Sequence, residues 1–253
     1  MITAKTIKQV KSLQLKKYRR EQGLFVVEGE KLFREIIDSN LRIRDIYSLP
    51  SFNIKSKQYE DRIISVSEKE MSRMSGLVTP SPVLAVVEIP HYSFTLKAIK
   101  NSVCIALDDI QDPGNLGTII RLASWFGIDF IFCSHGTAEA FSPKVVQASM
   151  GALTNVKVIY TDLVSFIDNA AKAKIPVFGT LLNGEDIYSA NLPANGIIVL
   201  GNEGKGISDN VGSRIQRKIT IPRFSTTTSG SESLNVAIAA AIVCSEFKRR
   251  IKG

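Results

Sequence analysis

Residues 102–134 read SVCIALDDIQDPGNLGTIIRLASWFGIDFIFCS. The first nine form an almost unbroken apolar run that ends in carboxylates, the reading of a strand buried on both faces. Asp112, Pro113 and Gly114 form a turn. GNLGTIIRLASWFG then reads as a helix and IDFIFCS as a second buried strand. The same alternation continues outward. SPKVVQASMGAL is a helix, NVKVIY a strand and DLVSFIDNAAKA a helix. IPVFGTLL, GIIVLG and KITIP are further strands, and a final helix runs from about Ser233 to Arg250. Strands alternating with helices imply a parallel sheet covered on both faces.

Upstream the pattern differs. Ile7, Val10, Leu13 (or Gln14) and Tyr18 are spaced as one helical stripe, ended by Gly23. LFVVEG predicts a strand, EKLFREIIDSN a helix, IRDIYSL a strand, and RIISVSEKEMSRMSG a strand then a helix capped by Ser67. TPSPVLAVVEIP is loop then strand. This is a small α/β domain over 1–95, followed by an α/β domain over 96–253, with the linker near 90–101.

Of 253 residues, 44% are hydrophobic and 22% charged, the composition of a globular chain with a real core. The net charge of +8 is uneven. Residues 1–100 hold 18 Lys/Arg against 11 Asp/Glu, and residues 101–253 hold 14 against 13. The first twenty residues carry Lys5, Lys8, Lys11, Lys16, Lys17, Arg19 and Arg20 without an acid. Such a segment is either a solvated helix face or a polyanion-binding one.

Three scattered cysteines and two histidines, His91 and His135, argue against a zinc site or a disulfide framework. Free thiols fit a cytoplasmic protein. The basic start lacks the apolar run of a secretory signal, and the longest apolar run, Val236–Cys244, is too short to span a bilayer. Neither a metal nor a membrane partner is expected.

Ligands of open α/β sheets collect at the carboxyl ends of the strands. Three loops there look specialised. LDDIQDPGNLGTIIR (107–121) places Asn115 and Arg121 near a helix start, where Arg121 either faces a ligand or pairs with Asp108 or Asp109. LGNEGKGIS (200–208) holds three glycines, which let a ligand approach the backbone. It matches neither phosphate-loop nor dinucleotide fingerprints, which leaves a nucleotide-dependent oxidoreductase with only the α/β pattern behind it. SGSESLNVAIAAAIVCSEF (229–247) crowds hydroxyls against an Ala-rich helix. An N-cap explains Ser231 or Ser233, but not Asn235, a poor helix former.

Together, N-x-x-x-x-x-R in NLGTIIR, G-N-E-G-x-G in GNEGKG, and I-P followed by S-L-N-V resemble the SpoU (TrmH-like) branch of the SPOUT RNA methyltransferases. The resemblance covers 102–250 well and 1–95 loosely, as a ribosomal-protein-like RNA-binding domain. It implies an α/β fold with a C-terminal parallel-sheet SPOUT domain holding a deep trefoil knot. It also implies a homodimer, with S-adenosylmethionine (SAM) bound in the knot by main-chain groups. By matching position, Leu200, Gly201, Gly206, Ile221 and Leu234 border the cofactor, and Asn115, Arg121, Glu203, Ser233 and Asn235 form the catalytic constellation. The loop RFSTTTSGSE (223–232) is longer than the family shows, leaving the register of Ser229 to Glu232 open.

The implied reaction is methyl transfer to a ribose 2′-OH of structured RNA, ribosomal in preference to transfer RNA. Lys16, Lys17, Arg19 and Arg20 would dock it. The family proposal makes the arginine the base, which conflicts with its very high pKa. Arg121 reads better as an electrostatic clamp for the developing alkoxide, with the proton leaving through water. The alternative is a non-catalytic RNA-binding protein that keeps the fold.

Overall fold

The computed structural model describes residues 2–54, 56–225 and 233–251. Residues 229–232, whose register the sequence leaves open, lie outside them. The chain forms two compact units. One is Met1–His91 with Glu139–Thr154, and the other is Tyr92–Ala138 with Asn155–Gly253.

The first unit runs α1 (Ala4–Ser12), α2 (Lys16–Gln22), β1 (Leu24–Glu28), α3 (Glu30–Ile37), β2 (Ile43–Ser48), β3 (Ile63–Ser65), α4 (Glu68–Met74) and β4 (Val83–Glu88). Its sheet has the order β1-β4-β2-β3, antiparallel except for the β2–β3 pair. Alternate residues of β1 face opposite sides. Leu24 and Val26 join Ile7, Val10, Leu13, Met71 and Met74 in one core layer. Phe25 points the other way, its ring 4.8 Å from that of Phe141. Ser67 caps α4 in a reciprocal capping box with Glu70.

The helical stripe expected at the start is two helices rather than one. The chain breaks at Leu13–Leu15, where Leu15 is extended. Leu13 is fully buried, and its carbonyl accepts a 2.7 Å bond from the Arg19 guanidinium. That bond satisfies a group the break would otherwise orphan. Tyr18 consequently leaves the core and is 37% exposed. Gly23, at φ 65°, closes α2 in the left-handed conformation.

The second unit contributes α5 (Leu96–Ile99), β5 (Val103–Asp108), α6 (Pro113–Trp125) and β6 (Phe130–Cys133). The segment Glu139–Thr154 then carries α7 (Pro143–Ser149). After it come β7 (Lys157–Tyr160), α8 (Leu163–Lys172), β8 (Val177–Asp186), β9 (Gly196–Gly201), α9 (Asp209–Gly212), β10 (Arg217–Thr220) and α10 (Val236–Ile251). The six strands are all parallel in the order β10-β8-β9-β5-β6-β7. Central β5 is buried at every position, as its apolar run predicts. Cys104, Ala106, Phe132, Val177 and Val199 pack with Phe166 and Ile167 of α8 in one core layer. Phe178 meets Phe247 of α10 edge to face at 5.1 Å.

The helix SPKVVQASMGAL belongs to the first unit, not to the cover of the parallel sheet. α7 packs on β1, and Gln147 Nε2 donates to the Glu28 carbonyl at 2.7 Å. α10 begins at Val236, three residues later than expected. At its far end Glu246 accepts from Arg249 and Arg250, and Arg250 donates to the carbonyls of Tyr188 (2.8 Å) and Ile187 (3.2 Å).

Candidate active site

The site lies at the carboxyl ends of β5 and β9, which pair Asp108 with Gly201 as their last step. A Cβ on Gly201 would fall 2.2 Å from the backbone of Gly206 and Ile207, so only glycine allows the 200–208 loop to fold back on its own strand. The fold-back is a two-way backbone bridge between Asn202 and Gly206, both bonds 2.9 Å. Gly206 takes φ 72°. Asn202 Oδ1 accepts the amides of Gly204 (2.9 Å) and Lys205 (3.0 Å), and its Nδ2 donates to the Asp109 carbonyl at 2.8 Å. Buried Asp108 accepts the Ser208 amide at 2.8 Å.

The first loop is built with equal economy. Asp112 caps α6 by accepting the Asn115 amide at 2.8 Å, with Pro113 as the first helical residue. Asp109 adopts φ 60°, unusual for a residue with a side chain. Its amide donates to Ser134 Oγ at 2.8 Å. Strained conformations of this kind collect at functional sites.

Three predicted catalytic residues meet in one hydrogen-bonded chain. Asn115 Nδ2 donates to Glu203 Oε1 at 2.8 Å, and Asn235 Nδ2 donates to Asn115 Oδ1 at 3.0 Å. The Asn115 amide is held in one orientation because its two ends face unlike partners. Asn235 is also the cap of α10: its Oδ1 accepts the amides of Ala237 (3.0 Å) and Ile238 (3.3 Å). The residue that no serine cap explained is therefore the cap itself, with its amide nitrogen left over for Asn115.

Arg121 stands apart. It lies six residues beyond Asn115, about 9 Å along the axis and a third of a turn away, not near the helix start. It is exposed and forms no ion pair or hydrogen bond with any described residue, so the pairing with Asp108 or Asp109 does not occur. Ser233 and Leu234 are exposed beside Asn235; Ile221 is half-buried, just past the end of β10.

Of the four residues expected to dock RNA, Lys16, Lys17 and Arg20 are exposed on α2. Arg19 is not available. It is 2% exposed and paired bidentately with Glu139, at 2.9 Å and 2.7 Å. A planar guanidinium already satisfied by a carboxylate and a carbonyl cannot also hold a phosphate.

Sequence reading also missed Asn202 and Ser134, which hold the two loops in place. Asn202 is the second letter of G-N-E-G-x-G, and its side chain organises that loop rather than a ligand. Ser134 stands directly after an apolar strand, and that position was its only signal.

This edge fits SAM. Exposed main chain at Glu203–Lys205 offers carbonyls, the amides of Gly204, Lys205 and Gly206 being bonded to Asn202, and half-exposed Leu234 and half-buried Ile221 offer apolar surface that an adenosyl group would cover. Thioether, ribose and base need such surfaces and no metal.

Residues 102–245 match the SpoU rRNA Methylase family model, and residues 4–85 match the MRM3-like substrate binding domain. The chain belongs to the SpoU rRNA methylase family. It is 30% identical over 239 residues to the 23S rRNA (guanosine(2553)-2′-O)-methyltransferase RlmP of Bacillus subtilis, covering 94% of this chain and 93% of that protein. A solved TrmH-family structure from Porphyromonas gingivalis covers 99% of both chains at 38% identity, with a TM-score of 0.88. The crystal structure of an AdoMet-bound rRNA methyltransferase from Sinorhizobium meliloti covers 99% of this chain and 97% of that one. It aligns at 28% identity with a TM-score of 0.86.

Proposed function

We propose that this chain transfers a methyl group from SAM to a ribose 2′-OH of ribosomal RNA. It is a SAM-dependent RNA 2′-O-methyltransferase. The observation that carries the reading is the Asn235–Asn115–Glu203 chain, which joins three separate motifs at one sheet edge. A protein that merely binds RNA has no need of it. Leu200, Gly201, Gly206, Ile221 and Leu234 would hold SAM, which supplies an electrophilic methyl group when bound. Asn115, Glu203 and Asn235 fix the geometry of the loops around the reacting hydroxyl, with Ser233 at their border, and such positioning is a large part of the catalysis. Arg121, paired with no carboxylate among the described residues, steadies the negative charge that develops on the 2′-oxygen.

Mapping 2′-O-methyl sites in total RNA with and without the gene tests the reading. One ribosomal position should lose its methyl group and regain it on complementation. Calorimetry should show binding of SAM and none of NAD; the reverse would overturn the assignment.

The finer features are part of the same proposal. The first unit docks RNA through Lys16, Lys17 and Arg20, and the protein works in the cytoplasm. Among the described residues no helix is long and apolar enough to cross a membrane. β10 lies at the sheet edge while the next helix, α10, packs on central β9 and on α6. That order of elements supports a trefoil knot. Trp125 of α6 is 86% exposed and Ile238 of α10 is 54% exposed, apolar surface suited to a second copy. Light scattering should give twice the 27.8 kDa of one chain; a monomer at micromolar concentration would remove the dimer.

A further inference from the structure

Outside the active site, the first unit carries a groove of about 450 Å³ between α1, α2 and α4. That is within the range of small-ligand sites. Its walls include Lys8, Ser12, Leu15, Tyr18 and Arg73. It exists because the helix breaks at Leu13–Leu15. The break turns Leu13 into the core and leaves Leu15, 59% exposed, and Tyr18 outside it.

The lining is cationic, with no carboxylate among its residues. Lys8 and Arg73 are exposed and form no ion pair or hydrogen bond with any described residue. Lys11 also lines the groove, but its ammonium is engaged by the Ser75 carbonyl. The acid nearest in sequence to Arg73 on α4, Glu70, is held by the capping box and by the Ile2 amide. The ammonium of Lys17 lies 5.8 Å from the centre of the Tyr18 ring, but it is paired with Glu21 at 3.9 Å, so the free charge of the groove is that of Lys8 and Arg73.

A flat aromatic ring and an exposed aliphatic side chain, flanked by unpaired cations, match the two halves of a nucleotide: a base to stack and phosphates to neutralise. A paired base has both faces covered by its neighbours, so only an unpaired one fits. We propose that this groove binds an unpaired nucleotide of the RNA substrate, its base on Tyr18 and Leu15 and its phosphates on Lys8 and Arg73. The proposal rests on the reading of this chain as an RNA methyltransferase, and it adds a recognition element in the first unit: a loop or bulge of the RNA.

The test uses the full chain and two labelled RNAs of equal length, a stem–loop and a perfect duplex, titrated at several salt concentrations. The wild type should prefer the stem–loop. Tyr18→Ala should weaken stem–loop binding roughly ten- to a hundred-fold, the range for losing one stacked base. Tyr18→Phe should bind as the wild type does, since the ring is kept. The Lys8→Gln, Arg73→Gln double variant should lower the salt slope by about 1.4, two phosphate contacts on a single strand. SAM binding by calorimetry should be unchanged in all variants, and circular dichroism with a thermal melt should show that the first unit, which carries the substitutions, remains folded. A wild type that binds neither RNA overturns the functional reading together with the groove. A wild type that binds both RNAs alike, or a Tyr18→Ala protein that keeps the preference, overturns the groove alone. A polyglutamate peptide serves as a third probe. If the variants lose the peptide and keep the RNA, the groove serves an acidic protein and the proposal fails.

Discussion

Arg121→Ala is expected to lower single-turnover methyl transfer by roughly 10²–10³-fold, the size of effect seen when one charge-stabilising donor is removed from an active site. SAM affinity should hardly change, because the proposed cofactor contacts lie in the 200–208 and 221–235 loops. Thermal stability should hardly change either, since the side chain pairs with no described residue. Arg121→Lys should recover little, because an ammonium lacks the planar fork that engages a phosphate and an alkoxide together. An Arg121→Ala protein that methylates at the wild-type rate would remove Arg121 from the reaction. One that melts early yet turns over normally would mark it as structural.

The largest effect on stability should come from Arg19, a residue its sequence neighbours suggest is expendable. Its side chain is 3% exposed and that of Glu139 is 15% exposed. Removing one partner of a buried ion pair leaves the other charged and unsolvated, at a cost of about 3–5 kcal/mol. Arg19→Ala also strands the Leu13 carbonyl. The unfolding midpoint of the first unit should fall by roughly 12–40 °C if that unit melts on its own. Arg20→Ala, one position along and exposed, should stay within about 0.5 kcal/mol of wild type. An Arg19→Leu, Glu139→Leu pair should recover much of the loss, because it removes both charges together. Equal melting of Arg19→Ala and Arg20→Ala would show that the pair contributes nothing.

That contrast marks the limit of what the sequence discloses. Periodicity reveals which face of an element is apolar, and so the parallel sheet and its order of strands and helices were legible, and residue type made Ser67 legible as an N-cap, though not its reciprocal bond with Glu70. Motif text located Asn115, Glu203 and Asn235, because hydrogen-bonding residues at strand exits have few uses there. Periodicity does not reveal partners. Arg19 sits in a run of seven cations and looks solvated; it is buried only because Glu139 arrives from 120 positions away. The break at Leu13–Leu15 was invisible because the stripe continues through it in correct spacing, and only Arg19 compensates the lost helical bond. Asn235 looked wrong for a helix interior because the helix starts at Val236, with the apolar run itself, and not at Ser233. SPKVVQASMGAL has the amphipathic pattern of any covering helix, and nothing in that pattern states which sheet it covers.

The insertion of Glu139–Thr154 into the first unit bears on how the chain is made. A ribosome releases the N-terminus first, and N-terminal domains generally fold first. Here residues 1–91 emerge lacking the Phe141 ring for Phe25, the carboxylate for Arg19 and the amide for the Glu28 carbonyl. Those partners appear only after β5, α6 and β6 have been synthesised. The N-terminal unit must therefore wait, part-open, until about the 154th residue has been added. Cutting the gene at the apparent boundary would leave it open permanently, and grafting this unit onto another enzyme would require two pieces of chain, not one.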